Sequence, residues 1–353
     1  MPVLLDSGSR GRRSFAATEQ DRGRVPPSFL DTDLNCIRLG LVNNMPDLAL
    51  EQTERQIFKL LDAAAGRKII VLELYALPTL TRGEWGQRHL SRMNYRGVKD
   101  LWNRRLDGLI VTGAEPRAAD LTLETYWRTL TEVFDWAENN TISTIASCLA
   151  VHAAVFHFDR INRYPLDKKC FGVFNFKRIS DDQLFSGNPP QFQMPHSRWN
   201  EIRERDVVSC GYDVLVKADH HGVDTFVKRG KSLFVFFQGH PEYEAWTLFG
   251  EYRRDVERFL TGRQEAYPDM PLGYFDRKAR STLRAFRDRA PKDRQNRSMA
   301  NFPSSQLSGR LIDPWRAVAA RTYANWLEHI AERKGRRTRP VRVGPASRAG
   351  LDQ

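Results

Sequence analysis

Two short stretches hold the residue types that nucleophilic catalysis needs. In the first, A-S-C-L-A, Cys148 ends an apolar run at residues 142–147 that reads as a strand. It also begins residues 148–156, which read as a helix. A thiol at such an elbow gains from the positive end of the helix dipole, which favours thiolates. The next backbone N–H, that of Leu149, can point at an oxyanion. Alanines stand where tight elbows commonly carry glycine. Taken alone, the same pattern fits a structural thiol in a core. The second stretch is Gly239-His240-Pro241-Glu242-Tyr243, directly after the apolar F-V-F-F-Q. A histidine there can serve as base for a thiol, and Glu242, two residues on, can orient the imidazole and stabilise its charge. Taken alone, it fits the start of a helix with an incidental histidine. Both stretches follow apolar strands, in the chain order Cys…His-x-Glu. Sites in open parallel sheets lie at the carboxyl ends of strands, so the pair points to catalysis more strongly than either member. Gly113, in T-G-A after L-D-G-L-I-V, ends another such strand and can bring backbone donors near the thiol, or be a simple turn.

The elements that must position these residues alternate. Strand-like runs at residues 36–42, 68–75, 106–112, 142–147 and 233–238 are separated by helical spacing at residues 51–65, 123–138 and 148–156, with a further helix expected at residues 244–260. This order predicts an α/β fold, a mainly parallel sheet sandwiched by helices. Residues 171–216 are less regular and are expected to add strands and loops. Residues 314–333 read as a late helix with proline near its first turn. The organisation expected is a flexible arm over residues 1–33, a compact domain over residues 34–275, a helical extension packing on it over residues 276–335, and a basic disordered tail over residues 336–353.

The 353 residues are 41% hydrophobic and 28% charged, an ordinary globular composition. The net charge of +12 invites a nucleic-acid partner. However, residues 271–353 carry 19 Lys+Arg against 7 Asp+Glu, which places the whole excess there and leaves the catalytic stretches in a neutral segment. That argues against nucleic acid as the main partner and leaves room for an anionic substrate. No apolar run approaches the ~18 residues of a membrane span, and the first residues lack the apolar core of a secretory signal. The four cysteines, Cys36, Cys148, Cys170 and Cys210, form no C-x-x-C pair. Neither a disulfide framework nor a metal site is expected, and a reducing cytoplasm is the expected location.

Residues 35–275, with a further match at residues 314–327, resemble the homoserine O-acyltransferases of the homoserine O-succinyltransferase type, which are class I glutamine-amidotransferase-like (flavodoxin-like) proteins. The resemblance rests on G-L-V-N-N-M-P (residues 40–46), T-E-R-Q (53–56), D-G-L-I-V-T-G-A (107–114), Y-W (126–127), the Cys148 elbow, P-H-S-R-W (195–199), G-H-P-E-Y (239–243) and Arg254-Asp255 in the helix that follows. It implies transfer of an acyl group from succinyl-CoA or acetyl-CoA to the hydroxyl of L-homoserine, the step that commits homoserine to methionine synthesis. Cys148 would carry the acyl group as a thioester, with ping-pong kinetics. His240 would be the base and Glu242 its partner. Arg254 would bind the homoserine carboxylate, and Lys169 and Ser197 match further substrate-binding positions. Leu149 and Gly113 are the oxyanion candidates, and Arg117 occupies the position that helps choose the acyl group. Acyl-CoA is a substrate, so no cofactor is implied, and a homodimer is the family expectation. The chain departs from the family in lacking a lysine after Met45-Pro46, in having Leu149 where tryptophan is usual, and in having Arg117 where glycine or glutamate is usual. A divergent paralogue acylating another amino or hydroxy acid, a glutamine-hydrolysing relative and a degenerate binding protein are the competing readings.

Overall fold

The computed structural model describes residues 3–6, 12–14, 36–114, 116, 118–296 and 299–338. In chain order the elements are β1 (Val3–Asp6), β2 (Arg12–Ser14), β3 (Cys36–Val42), α1 (Asp47–Ala64), β4 (Ile69–Ala76), α2 (Glu84–Arg92), β5 (Arg96–Gly97), β6 (Gly108–Thr112), α3 (Trp127–Asn140), β7 (Ser143–Ser147) and α4 (Leu149–Asp159). There follow β8 (Tyr164–Arg178), β9 (Gln191–Glu201), α5 (Glu204–Ser209), β10 (Asp213–Ala218), β11 (Gly222–Arg229), β12 (Leu233–Phe237), α6 (Thr247–Leu260), α7 (Arg277–Asn296), α8 (Ser304–Leu307) and α9 (Arg316–Thr338).

One sheet runs β2-β1-β4-β3-β6-β7-β12-β11-β10-β8-β9, with β5 paired to β4. From β1 through β12 the pairings are parallel; β12 through β9, and the β1–β2 edge, are antiparallel. The central strands are buried on both faces, as their continuous apolar runs require. Their side chains alternate between two cores. Ile110, Ile145, Val235 and Phe237 face α1, α6, α7 and α9, whereas Leu109, Val111, Ala146, Phe234 and Phe236 face α3 and α4. This is the expected α/β sandwich.

Several boundaries differ from the sequence expectation, each for a local reason. α1 begins at Asp47, because Pro46 supplies a fixed extended N-cap and Asp47 an acidic first turn. α3 begins at Trp127, because Asp120 caps a separate turn at Leu121–Leu123, accepting from the Thr122 N–H at 2.9 Å. α6 begins at Thr247, whose hydroxyl accepts from the Glu244 N–H at 3.1 Å and so ends the preceding turn. Residues 171–216 are more ordered than expected. β8 and β9 form a long antiparallel hairpin, stabilised by buried Phe171 and Val173 on one face and Phe192 and Met194 on the other. The flexible arm expected over residues 1–33 needs correction at its start. β1 pairs in parallel with β4, and Val3 and Leu4 are buried. A three-residue apolar run is too short to stand out in a polar segment, and the edge of β4 gives it backbone partners. β2, also within that arm, pairs with β1; the arm's other residues and the tail beyond residue 338 lie outside the described residues. Among the described residues, no helix is long and apolar enough to cross a membrane.

Candidate active site

β7 and β12 are parallel neighbours in register from Ser143 opposite Leu233 to Ser147 opposite Phe237. Their carboxyl ends therefore deliver Cys148 and the turn at residues 238–243 side by side. Cys148 donates its N–H to Phe237 O at 2.8 Å, across that junction. Its backbone has φ 51° and ψ −110°, a conformation costing about 1–3 kcal/mol for a residue with a side chain. The strain is what turns the strand directly into α4 and leaves the thiol partly exposed between buried Ser147 and Ala150. Leu149 follows, with the first N–H of α4, one that has no acceptor within its own helix. Gly113, at the end of β6, closes over this N-terminus. A Cβ there would lie 2.2 Å from Leu149 Cβ and 2.7 Å from Ala150 N. Only glycine permits that approach.

His240 is 7% exposed. Its Nδ1 lies 2.8 Å from Glu242 Oε1, while among the described residues Nε2 has no hydrogen-bond partner and the imidazole lies near enough to Cys148 to feel its charge. Burial opposes the imidazolium. The charges of Cys148 and Glu242, and the hydrogen bond to Glu242, overcome it and hold His240 well above the usual imidazole range. The Tyr243 ring stacks on the imidazole with centroids 4.1 Å apart, and Trp315 Nε1 donates to Tyr243 O at 2.8 Å, fixing the turn from the α9 side.

Beside this line lies a second polar cluster. Its centre is Glu251 on α6, which the sequence reading did not single out. Glu251 Oε2 accepts from Ser197 Oγ at 2.5 Å and Lys169 Nζ at 3.3 Å, and its Oε1 accepts from Tyr243 Oη at 2.7 Å. Burial favours the neutral acid, but Lys169 and the two hydroxyl donors outweigh it and lower the Glu251 pKa. Asp255 lies 3.7 Å from Lys169 and 2.9 Å from Arg254, whose guanidinium reaches Glu251 at 3.9 Å and stays 45% exposed. Lys169, Ser197 and Arg254, distant in sequence, are thus brought together, and Tyr243 joins their cluster to the His240 turn. The signal for Glu251 was in E-Y-R-R-D: it sits three and four residues before Arg254 and Asp255, on the same helix face. Arg117 lies outside the described residues.

The other motif blocks tie strand ends together. Asn44 N–H donates to Thr112 Oγ1 and its Nδ2 to Thr112 O, both at 2.8 Å, locking the end of β3 to that of β6. In T-E-R-Q, Glu54 is buried and accepts from Tyr95 Oη at 2.6 Å beside His89 at 2.7 Å, and Gln56 donates to Thr247 Oγ1 at 2.6 Å. After Pro46, where the family's lysine is absent, the nearby cation is Arg82. It donates to Met45 O, to Asn43 O at 3.3 Å and to Asp47 Oδ1 at 3.2 Å.

A sequence model of the family described as "Homoserine O-succinyltransferase" matches residues 28–336. Proteins so named are similar over most of their length. That of Rhodopseudomonas palustris is 45% identical over 84% of this chain and 88% of its own. That of Bradyrhizobium japonicum is 42% identical over 84% and 90%. That of Methylorubrum extorquens is 40% identical over 94% and 98%. Among solved structures, a glutamine amidotransferase from Thermotoga maritima aligns at 13% identity with a TM-score of 0.42, covering 84% of this chain and 98% of that one. One from Methylobacillus flagellatus aligns at 13% with a TM-score of 0.44, covering 84% and 96%.

Proposed function

The chain belongs to the homoserine O-succinyltransferase family and is an acyltransferase; from that premise we propose that it moves the succinyl group of succinyl-CoA to the hydroxyl of L-homoserine through a thioester on Cys148. The observation that supports the reading is the meeting of Cys148 and the His240–Glu242 pair at the paired ends of β7 and β12, where the imidazole feels the charge of Cys148.

In the first half-reaction Cys148 Sγ attacks the thioester carbonyl, and the oxyanion meets the N–H groups of Leu149 and the Gly113 loop. The carbon–sulfur bond to CoA breaks, and the departing CoA thiolate takes the proton of the His240 imidazolium. Acylation consumes the Cys148 charge. That charge is the foremost of the influences raising the His240 pKa, whereas burial, which lowers it, remains. His240 is then neutral and suited to be a base. In the second half-reaction it takes the proton of the homoserine hydroxyl, whose oxygen attacks the acyl-enzyme, and Cys148 leaves as thiolate beside a restored imidazolium. Arg254 offers a planar fork to the homoserine carboxylate, with Lys169 as a second cation beside it, and the Glu251–Asp255 pair, with the Ser197 hydroxyl, receives its ammonium. We place the reaction in methionine biosynthesis and in the cytoplasm, in keeping with a sequence whose four cysteines form no C-x-x-C pair.

The test is intact mass after mixing the protein with succinyl-CoA or acetyl-CoA, followed by L-homoserine, with Cys148→Ala as control. A mass gain with succinyl-CoA that requires Cys148 and is cleared by homoserine is the expected result. A gain only with acetyl-CoA would change the donor, and one that homoserine does not clear would reject the acceptor. No gain with either donor would overturn the thioester mechanism.

A further inference from the structure

We propose that His196 is a positioning residue, which with Asp224 clasps the β8–β9 hairpin to the Gln238–His240 turn and so registers Ser197 and Lys169 against His240. The proposal rests on the reading of His240 as the base and adds how that base is held.

The β8 strand joins the main sheet at Lys177 and Arg178, opposite Lys217 and Val216. The part of the hairpin that carries Lys169 and Ser197 lies at the other end of the Cys170–Lys177 ladder, about 23 Å away at ~3.3 Å per residue. A two-stranded ribbon extending that far is marginal unless it is tied down. Three consecutive residues of β9 tie it. Pro195 O accepts the His240 N–H at 2.9 Å. His196 Nε2 lies 2.9 Å from Asp224 Oδ1, with both side chains fully buried. Ser197 Oγ donates to Glu251. The first and third bonds reach the base and the substrate cluster; the second sets the register of both.

The chemistry of the clasp is specific. Arg198 Nε donates to His196 Nδ1 at 3.2 Å, so that nitrogen is the acceptor and the ring proton is on Nε2, aimed at Asp224. Asp224 Oδ2 also accepts from Thr225 Oγ1 at 2.6 Å, and its main-chain oxygen accepts the Gln238 N–H at 2.8 Å. The imidazole is stacked on Phe176 with centroids 4.8 Å apart, which fixes its plane. The turn closes directly on this pair. A Cβ on Gly239 would lie 2.4 Å from Asp224 Oδ1 and 2.8 Å from His196 Nε2. The residue immediately before the base thus rests on the His196–Asp224 bond, and movement of that bond moves His240.

The experiment measures first-turnover CoA release, the KM for succinyl-CoA and the melting temperature of full-length wild type, His196→Leu and His196→Gln. Misplacement of a catalytic group by about 1 Å costs about 100-fold in rate. His196→Leu is therefore expected to slow acyl-enzyme formation by about 30- to 100-fold, with the succinyl-CoA KM within about threefold of wild type. Gln can accept from Arg198 and donate to Asp224, and is expected to recover the rate to within about fivefold. A folded His196→Leu with the wild-type rate, or equal loss in the Leu and Gln variants, would overturn the clasp. Should His196→Leu fail to fold, Asp224→Asn carries the test, with about tenfold slowing expected and an unchanged rate counting against it. If wild type forms no thioester, the functional reading falls. If His240→Ala abolishes the thioester while His196→Leu does not slow it, only the clasp falls.

Discussion

At the scale of single residues, the thiol and imidazole share one charge system. His240 is buried, which by itself would make it a weak base, and the opposing influence comes first from Cys148 and then from Glu242. Removing the thiol should therefore lower the His240 pKa, since burial remains. In histidine-labelled wild type, NMR titration is expected to find His240 protonated at pH 7, with its midpoint well above 6.5; in Cys148→Ala the midpoint falls. An unchanged midpoint would show that Cys148 does not face the imidazole as a charge. The linkage has a definite sign. A raised imidazole pKa stabilises the fold fully below about pH 6.5, the ordinary value, and the contribution is lost as pH rises through the folded-state value.

At the scale of elements, the site is a meeting of strand ends rather than of helices. β6, β7 and β12 end together because they are parallel neighbours in register, and Gly113, just past β6, is where that end closes on the first turn of α4. Gly113→Ala places a methyl group against the backbone of α4 at Ala150 N. The expected outcome is a loss of about 10- to 100-fold in acylation rate with about 1–3 kcal/mol of destabilisation from overpacking. Single-turnover CoA release and urea unfolding would measure the two effects. Wild-type acylation in this variant would remove the Gly113 loop from the oxyanion site. The strand and helix types were legible because the apolar spacing of residues 36–42, 143–147 and 233–237 is strong. The β8–β9 hairpin was not, because D-K-K-C-F-G-V-F-N-F mixes charges with aromatics and only half of it is buried.

At the scale of the whole molecule, α9 completes the core and reaches the site. Trp326 is fully buried and donates from Nε1 to Ser143 Oγ at 2.8 Å at the start of β7; Ile330 packs near Gly108 at the start of β6, and Trp315 holds Tyr243 at the other end. α9 and the residue just before it thus touch both ends of the sheet that carries Cys148. Trp326→Ala is expected to destabilise the protein by at least about 3 kcal/mol, read as a fall in the urea midpoint at constant slope. A loss under about 1 kcal/mol would mean that α9 packs loosely on an otherwise complete domain.

By itself the sequence singled out Cys148, His240 and Glu242 as candidate nucleophile, base and partner. Each lies at the end of a strongly apolar strand, and strand ends in a parallel sheet converge whatever the rest of the chain does. It also determined the α/β alternation, which depends on spacing within short windows. The tertiary structure alone decided which carboxylate gathers Lys169, Ser197 and Tyr243, because Glu251 acquires its partners from three separate elements. It also decided that Gly239, just before His240, closes on the His196–Asp224 pair. These are contacts between residues dozens of positions apart, fixed by how a long hairpin folds back over the sheet, and short-range periodicity carries no record of them.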